Sequence, residues 1–149
     1  NLPPQLVRGL EYETTVQLMK NISLSGNYTY ISGTEYTQSR ISFADTSYQY
    51  LLRRPAHQVN ATLNYSPVKQ MNFSLAARYV SRRYDVGGYK KADQQLGSYV
   101  LLNAYASYEF KDRFRFFLDA QNITNRRFFD LRGFNSIPFL LLAGVSFEW

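Results

Sequence analysis

Residue types that are missing or rare limit the folds and functions that are open to this chain of 149 residues. It contains no cysteine and one histidine, His57. Disulfide bonds and thiolate- or histidine-rich metal sites are therefore excluded, and we expect neither a metal nor a cofactor. No run of 18 apolar residues occurs, so the sequence predicts no transmembrane helix. Five prolines and eight glycines predict few but definite turns.

The positive charge is too dispersed to indicate nucleic-acid binding. The net charge is +6, but the 17 basic residues do not form one block. The chain also lacks a nucleophile elbow, a paired-carboxylate motif and a phosphate-binding glycine loop, which argues against an enzyme. Adjacent basic pairs instead stand beside predicted loops, at positions 53–54, 82–83, 90–91 and 126–127.

The sequence is rich in aromatic residues and in segments where apolar and polar residues alternate with a period of two. It contains 13 Tyr and 11 Phe, a surplus typical of strands and of the interfacial girdles of membrane barrels. In seven segments apolar residues alternate with polar ones, so each predicts a strand with one apolar face. Phe117 breaks the alternation, and the pattern allows a bulge near Asn122. The seven segments are 9–20, 22–31, 58–66, 71–84, 98–110, 113–123 and 137–149.

The connections between these segments alternate between short and long. Residues 20–21, 66–70 and 111–112 form tight turns, whereas 32–57, 85–97 and 124–136 are long and rich in charge, Gly and Tyr. A tilted strand needs about 9–11 residues to cross a membrane. Short turns at one end and long loops at the other are typical of outer-membrane barrels, with the turns in the periplasm. We therefore predict an all-β fold, an antiparallel transmembrane β-barrel.

Seven strands alone would leave two open edges. In hydrocarbon the unpaired backbone groups cost several kcal/mol each, on the order of tens of kcal/mol per edge. Bacterial single-chain barrels also have even strand counts. We therefore expect residues 1–149 to be one segment of a larger barrel, completed by the same polypeptide or by another chain. An autonomous eight-stranded barrel stays open if residues near Leu6 or within 39–50 add strands, and a soluble β-sandwich module is a further alternative.

The last predicted strand resembles the C-terminal signal by which the outer-membrane assembly machinery recognises its substrates. Gly144, Phe147 and Trp149 have the spacing of that signal, although Leu142 stands where a polar residue is usual.

Further segments resemble one family. The run FRFFLDAQNITNRRFF at 114–129 is similar to the penultimate strand and following loop of TonB-dependent outer-membrane receptors, where an Asn-apolar-x-Asn/Asp-basic-x-aromatic stretch lies near the end. The segments GLE at 9–11, RRPAHQVNATLNYSP at 53–67 and AARYVSRRYD at 76–85 resemble other late strands of the same family. The resemblance covers nearly the whole chain.

The resemblance implies that this chain supplies the last seven of twenty-two strands, and that the plug and the TonB-contacting segment lie outside this sequence. It implies an outer-membrane location in a Gram-negative bacterium and uptake of a scarce, bulky nutrient such as a ferric siderophore, cobalamin or haem. The implied partners are outer-membrane lipid, the remaining strands and plug, the TonB complex and a surface lipoprotein. The alternative is a structural or adhesin role for an autonomous barrel.

Two sets of residues are candidates for function. Long-loop aromatics offer flat contact area, and basic side chains offer charge and hydrogen bonds to an anionic chelate. Charged residues on the non-lipid face are expected to meet the plug, because Arg on the lipid face costs about 2–4 kcal/mol at the midplane. The loop candidates are Tyr48, Tyr50, Arg53, Arg54, Tyr89, Lys90, Arg132, Phe134 and Asn135, and the lumenal candidates are Glu11, Glu13, Arg78, Arg113, Arg115 and Asp119.

Overall fold

A computed structural model describes residues 4–111 and 113–147 of the chain. Strands are the regular elements of these residues, and none of the described segments is a helix long and apolar enough to cross a membrane. The strands are β1 (Gln5–Met19), β2 (Ile22–Gln38), β3 (Asp45–Tyr48), β4 (His57–Tyr65), β5 (Met71–Val80), β6 (Arg83–Asp85), β7 (Gln94–Leu96), β8 (Tyr99–Phe110), β9 (Phe114–Gln121) and β10 (Leu140–Phe147).

Seven long strands form one antiparallel sheet in the order β1-β2-β4-β5-β8-β9-β10, and the short β3 pairs with the end of β2. β6 and β7 form a separate two-stranded sheet. Each long strand pairs with the next long strand along the chain, whether a tight turn or a long loop connects the two. The predicted all-β, antiparallel architecture is thereby confirmed.

The register explains why period-two alternation identified the strands. Cross-strand partners share a face, and one row of partners is apolar across all seven long strands. It is Val16, Leu24, Leu63, Leu75, Ala104, Ala120 and Leu141. A neighbouring row on the opposite face is mostly polar, and it is Gln17, Ser23, Asn64, Ser74, Tyr105, Asp119 and Leu142. Each sheet face therefore has its own chemistry, and we call them the apolar face and the polar face.

The apolar face is exposed over its whole width. Leu10 is 62% exposed in β1, Leu75 is 45% exposed in β5 and Leu118 is 50% exposed in β9. An exposed apolar surface of this extent marks an interaction with another apolar phase or partner.

Several predicted strand limits were wrong. β1 begins four residues earlier than the predicted segment, at Gln5, and includes Leu6, which therefore adds no separate strand. β2 continues to Gln38, where β3 pairs with it. The segment 71–84 is two strands, because β5 ends at Val80 and the Ser81 hydroxyl accepts a hydrogen bond from the His57 amide at 3.0 Å. From there the chain leaves the main sheet.

The position near Asn122 is a strand end and not a bulge. β9 ends at Gln121, and Asn122 has a positive φ of 49°. The irregularity of the sheet register lies instead in β1, between Gln17 and Met19.

The small buried core lies on the polar face, at the end of the sheet where the long loops are. Val80 and Tyr99 are cross-strand partners on that face and are 2% and 3% exposed. Leu51 comes from a long loop and packs onto Gly33, where a Cβ atom would lie 2.8 Å from the Leu51 side chain. The long loops therefore fold inward over the polar face.

Candidate functional site

Three long loops lie at the same end of the sheet, since strand direction alternates and the other connections are tight turns. They are the first loop (39–56, which includes β3), the second loop (81–98, which includes β6 and β7) and the third loop (122–139). The predicted loop candidates all lie in these segments. Side-chain contacts join the three loops into one cap.

A charged network centred on Arg40 joins the first loop to the second. The Arg40 guanidinium contacts Asp93 of the second loop at 2.8 Å and Glu35 at the end of β2 at 3.0 Å. Burial alone would lower the pKa of Arg40, but the charges of Asp93 and Glu35 raise it. The Asp93 side chain is only 1% exposed, and removing Arg40 would leave a buried carboxylate without its cation.

Tyrosine rings pack around the same network. The Arg40 guanidinium lies 4.2 Å from the ring centre of Tyr48, and Tyr50 stacks on Tyr84 of the second loop with ring centres 4.0 Å apart. The Tyr50 hydroxyl donates to Asp93 at 2.8 Å. Burial, followed by this carboxylate, raises the pKa of Tyr50, so the hydroxyl stays protonated and continues to donate.

Asp85 joins all three loops. Its carboxylate, 1% exposed, accepts from Arg53 Nε of the first loop at 2.7 Å and from the backbone amide of Arg132 of the third loop at 2.8 Å. The Val86 amide donates to it as well, at 2.8 Å. Burial alone would raise the pKa of Asp85, but the hydrogen bonds from Arg132, Arg53 and Val86 together lower it. We call this set the Asp85 junction.

A second contact joins the second and third loops. Arg83 has a side chain that is 2% exposed, and it contacts the Asp130 carboxylate at 2.8 Å. The Tyr99 hydroxyl donates to the same carboxylate oxygen at 2.6 Å. Arg83 also lies 5.4 Å from the ring centre of Tyr99, so the guanidinium is held between an aromatic face and a carboxylate.

Asn122 fixes the base of the third loop. Its side-chain amide donates to the carbonyl oxygens of Arg126 and Ile137, both at 3.0 Å, and its oxygen accepts from the Arg126 amide at 2.8 Å. Asn125 accepts from the Phe139 amide at 3.0 Å. Both asparagines have φ near 49°, a conformation that Asn tolerates better than most residues. The two asparagines of the NITN stretch therefore close the loop.

The third loop encloses a cavity of about 410 Å³ against β8 and β9. Phe134, which is 70% exposed, and Asn135 belong to its wall, which contains both apolar and amide side chains. The lining residues are Leu101, Asn103, Gln121, Asn122, Phe128, Asp130, Leu131, Phe134, Asn135, Ser136 and Ile137.

Two loop tips present aromatic rings to solvent. Phe43 of the first loop and Tyr89 of the second have ring centres 6.3 Å apart, and Lys90 Nζ lies within 6 Å of both. Phe43 is 48% exposed and Tyr89 is 80% exposed. We call these three residues the tip cluster.

The predicted loop candidates therefore divide into two groups. Tyr48, Tyr50, Arg53 and Arg132 engage partners inside the cap, so they shape it. Arg54, Tyr89, Lys90, Phe134 and Asn135 are exposed at its surface. Contact between any of these residues and a ligand stays a prediction.

Four of the six lumenal candidates lie along the polar face of the sheet. Glu13, Asn27, Asn60 and Arg78 are successive cross-strand partners, and Glu11 pairs with Thr29 one step along. Asp119 belongs to the mostly polar row described above.

The remaining two lie near the last tight turn. Arg115 contacts Glu109, its cross-strand partner. Arg113 lies in that turn, outside β9, and its amide donates to the Phe110 carbonyl. A contact of these candidates with a plug stays a prediction.

Sequence reasoning missed the residues that hold the cap together: Glu35, Arg40, Asp85, Asp93 and Asp130. Except for the Glu35–Arg40 contact, which spans five residues, their ion pairs span 32 to 53 residues, so no local spacing indicates them. Residues 4–111 and 113–147 contain no group of three or more His, Asp or Glu side chains suited to hold a metal ion.

The relationship to known proteins follows from a family model. The model described as "TonB dependent receptor-like, beta-barrel" matches residues 1–123. This chain belongs to the TonB-dependent receptor family. The family is one of receptors and not of enzymes, which agrees with the sequence-based expectation. A search of curated proteins gave no match.

Solved structures of TonB-dependent receptors share this fold. The ferric-catecholate import receptor Fiu of E. coli K12 superposes with a TM-score of 0.79 at 15% identity, over 97% of this chain and 21% of that one. The siderophore receptor PiuA of Acinetobacter baumannii gives 0.72 at 18% identity, over 99% and 24%. The ferripyoverdine receptor of Pseudomonas aeruginosa gives 0.73 at 14% identity, over 96% and 19%. The chain thus spans about a fifth of the length of these receptors.

Proposed function

We propose that this chain forms the C-terminal part of a twenty-two-stranded barrel, in a receptor that imports a ferric siderophore across the outer membrane of a Gram-negative bacterium. The observation that carries the proposal is the cap. Three long loops from one end of a barrel sheet fold over its polar face and are joined by ion pairs, each of which has one buried partner. Similarity to siderophore receptors supports the same cargo.

The two outer strands support the proposal that more of the barrel exists. Within the described residues, β1 pairs only with β2 and β10 only with β9, so each has one open edge. In a membrane each edge requires a neighbour, because lipid offers no hydrogen bonds to the backbone. We propose that a preceding strand pairs with β1 and that the first strand of the barrel pairs with β10. Seven strands with two open edges do not favour an autonomous eight-stranded barrel.

In this receptor the apolar face contacts lipid and the polar face lines the lumen. Glu11, Glu13, Arg78, Arg113, Arg115 and Asp119 then face a plug that belongs to another part of the polypeptide. Exposed loop residues such as Arg54, Phe134 and Asn135 contact the incoming ligand. Energy from the TonB complex enters through that plug. Gly144 and Phe147 belong to the segment that the assembly machinery recognises, whereas Trp149 lies outside the described residues.

Transport is tested by uptake in a strain that lacks the complete receptor and carries it on a plasmid. Cells receive ⁵⁵Fe as ferric siderophores of several classes, radiolabelled cobalamin, or haem. We expect receptor-dependent accumulation of iron that stops when the proton gradient is dissipated. Deletion of residues 124–136 should abolish iron uptake, whereas Lys69→Gln, at the opposite end of the sheet, should leave iron uptake unchanged. Uptake of cobalamin or haem alone, or of nothing, would contradict the proposal.

A further inference from the structure

A groove lies on the apolar face, near the end of the sheet where the tight turns are. It has a volume of about 460 Å³ and runs across β5, β8, β9 and β10. Phe73, Ala106, Leu118 and Ala143 are successive cross-strand partners that line it, so large and small side chains alternate along one row. The two alanines leave the space between the larger side chains open. We call this feature the apolar groove.

The next row towards the turns closes the apolar groove with larger side chains. Tyr108 of β8 pairs with Met71 on one side and with Phe116 on the other. Tyr108 is 41% exposed and brings a hydroxyl group to this end of the groove. An aromatic side chain with a polar end is typical of the boundary between a membrane and water. The groove is therefore apolar along its length and reaches the boundary at Tyr108.

A basic side chain lies at the same end and beside the same face. Phe110 continues the apolar face of β8 two residues beyond Tyr108, and Lys111 Nζ lies 5.2 Å from the Phe110 ring centre. The ring thus holds the ammonium beside the apolar face. Lys111 has a φ of 52°, a conformation that Gly or Asn adopts at lower cost. The turn alone therefore does not explain a lysine at this position.

The charge balance of the tight turns favours an anionic partner. Residues 20–21, 66–70 and 111–113 contain four basic side chains and one acid, Asp112, which lies outside the described residues. Glu109, near the end of β8, is already paired with Arg115. Basic side chains at a membrane surface attract lipids with anionic headgroups. An anionic headgroup beside Lys111 is therefore complementary in charge to this end of the sheet.

The depth of the groove indicates which leaflet supplies its occupant. Ala106 is four residues from Phe110, which is about 13 Å along a strand. One half of the hydrocarbon core is about 15 Å thick. The groove at Ala106 therefore lies within the leaflet on the side of the tight turns, which is the periplasmic leaflet in the proposed receptor. An acyl chain from the opposite leaflet would have to cross the midplane to fill it.

We propose that the apolar groove and Lys111 form a binding site for an anionic phospholipid of the periplasmic leaflet, such as phosphatidylglycerol. One acyl chain lies in the groove against Phe73 and Ala106, and the Lys111 ammonium contacts the phosphate. The inference rests on the proposed function for the membrane and its orientation, and it is independent of the cargo. A phospholipid without net charge fills the groove equally well but gains less from Lys111.

The test is native mass spectrometry of the complete receptor in detergent, equilibrated with phosphatidylglycerol or with phosphatidylcholine of the same acyl chains. The wild type should bind its first phosphatidylglycerol about fivefold more tightly than phosphatidylcholine, which corresponds to about 1 kcal/mol. Lys111→Gln should remove this preference and leave phosphatidylcholine binding unchanged. Ala106→Phe fills the groove and should weaken the binding of both lipids about tenfold.

Each variant has a matched control. Lys20→Gln removes a lysine from the first tight turn, which β4 separates from the strands of the groove. Ala61→Phe adds the same ring to the apolar face of β4, outside the groove. Both should bind the two lipids as the wild type does. Heat-modifiable migration in SDS gels shows which variants are folded, and Lys111→Gln, which changes one exposed turn side chain, keeps the test decisive if Ala106→Phe does not fold.

Four results would overturn the inference: equal wild-type affinity for the two lipids, the same loss of preference in Lys20→Gln as in Lys111→Gln, unchanged binding in a folded Ala106→Phe, or an equal loss in Ala61→Phe. A co-purified lipoprotein whose acyl chain excludes both phospholipids would show that the proposed occupant is wrong. The proposed function fails differently. A receptor that supports no iron uptake but keeps the preference for phosphatidylglycerol would contradict the cargo and leave the lipid site standing.

Discussion

Gly144 and Phe117 are cross-strand partners, and the Phe117 ring occupies the space that a side chain at 144 would need. A Cβ atom at 144 would lie 2.3 Å from Phe117 Cζ and 2.6 Å from Cε1. On its other side Phe117 stacks with Tyr105, with ring centres 6.4 Å apart. Phe117, which breaks the alternation of β9, is thus accommodated on the polar face because its neighbour in β10 has no side chain.

Replacing Gly144 should therefore destabilise the last hairpin. Gly144→Ala should cost about 1–3 kcal/mol, because the ring must leave its position and disturb Tyr105. The measurement is urea unfolding of the complete receptor in lipid vesicles. Phe117→Ala in the same background should recover part of the loss, giving a coupling energy in a double-mutant cycle.

Gly97→Ala is the matched control for Gly144→Ala. Nothing lies within 4 Å of a Cβ atom at position 97. We expect a change of less than about 0.5 kcal/mol there. Equal losses at 97 and 144, or strict additivity with Phe117→Ala, would contradict the role of the Phe117 ring.

The base of the third loop should depend on Asn122. Asn122→Ala removes three side-chain hydrogen bonds at a position with positive φ, and we expect a loss of about 2–3 kcal/mol in local stability. Hydrogen–deuterium exchange should accelerate across residues 122–139 and stay unchanged in the first loop. Asn122→Asp keeps the acceptor for the Arg126 amide but turns a carboxylate oxygen towards the Arg126 and Ile137 carbonyls, so it should lose at least as much stability as Asn122→Ala. Equal acceleration of hydrogen exchange in all three loops would contradict a role of Asn122 that is confined to the base of the third loop.

Closure of the cap should be lost in acid. The folded pKa of Asp85 is lowered, so the stability that it contributes is fully present above its unfolded pKa of about 3.9. It is lost as the pH falls through the lower folded pKa. This chain has no native cysteine, so spin labels are placed at Tyr89→Cys and Phe134→Cys, and double electron–electron resonance reports their separation. We expect a narrow distance distribution at pH 7 that broadens below about pH 4.

Asp85→Asn should give a broad distribution already at pH 7, because an amide lacks the charge for Arg53 and accepts at one atom only. Asp45→Asn replaces an exposed carboxylate of the first loop and should behave as the wild type does. A narrow distribution in Asp85→Asn at pH 7 would mean that the junction does not hold the loops.

The apolar face should reject charge in the membrane, and the polar face should accept it. Leu75 lies in the apolar row near the middle of β5, and Ser74 is the adjacent residue on the polar face. Leu75→Arg should cost about 2–4 kcal/mol in vesicles, whereas Ser74→Arg should cost less than about 1 kcal/mol. Urea unfolding of the two variants gives the difference. Similar costs at both positions would mean that β5 does not face lipid.

The long strands were predictable because each carries its own signal. Leu63 and Leu75 lie in segments where apolar and polar residues alternate, and this alternation is visible in each segment before its partner strand is known. Strand ends were less predictable, because Val80 and Gln121 end their strands through contacts made elsewhere. Ser81 binds the His57 amide, and Asn122 binds Ile137 across the loop.

The candidate site was predictable only at its surface. Exposed loop aromatics such as Tyr89 and Phe134 stand out by residue type in a long connection. The ion pairs of Asp85 and Asp93 do not, because a carboxylate in a loop has the same local signature whether it is solvated or buried. The three-dimensional course of two separate loops decides between these states, and it depends on contacts spanning 32 and 53 residues.

Because the Asp85 carboxylate accepts hydrogen bonds from all three long loops, no single loop can be replaced independently of the other two. A chimera that receives only one of these loops from a related receptor would leave Arg53 or the buried Asp85 carboxylate without its partner. Ligand specificity is therefore exchanged between relatives only when 39–56, 81–98 and 122–139 are exchanged together. A receptor engineered for a new ligand should take all three loops from the same parent.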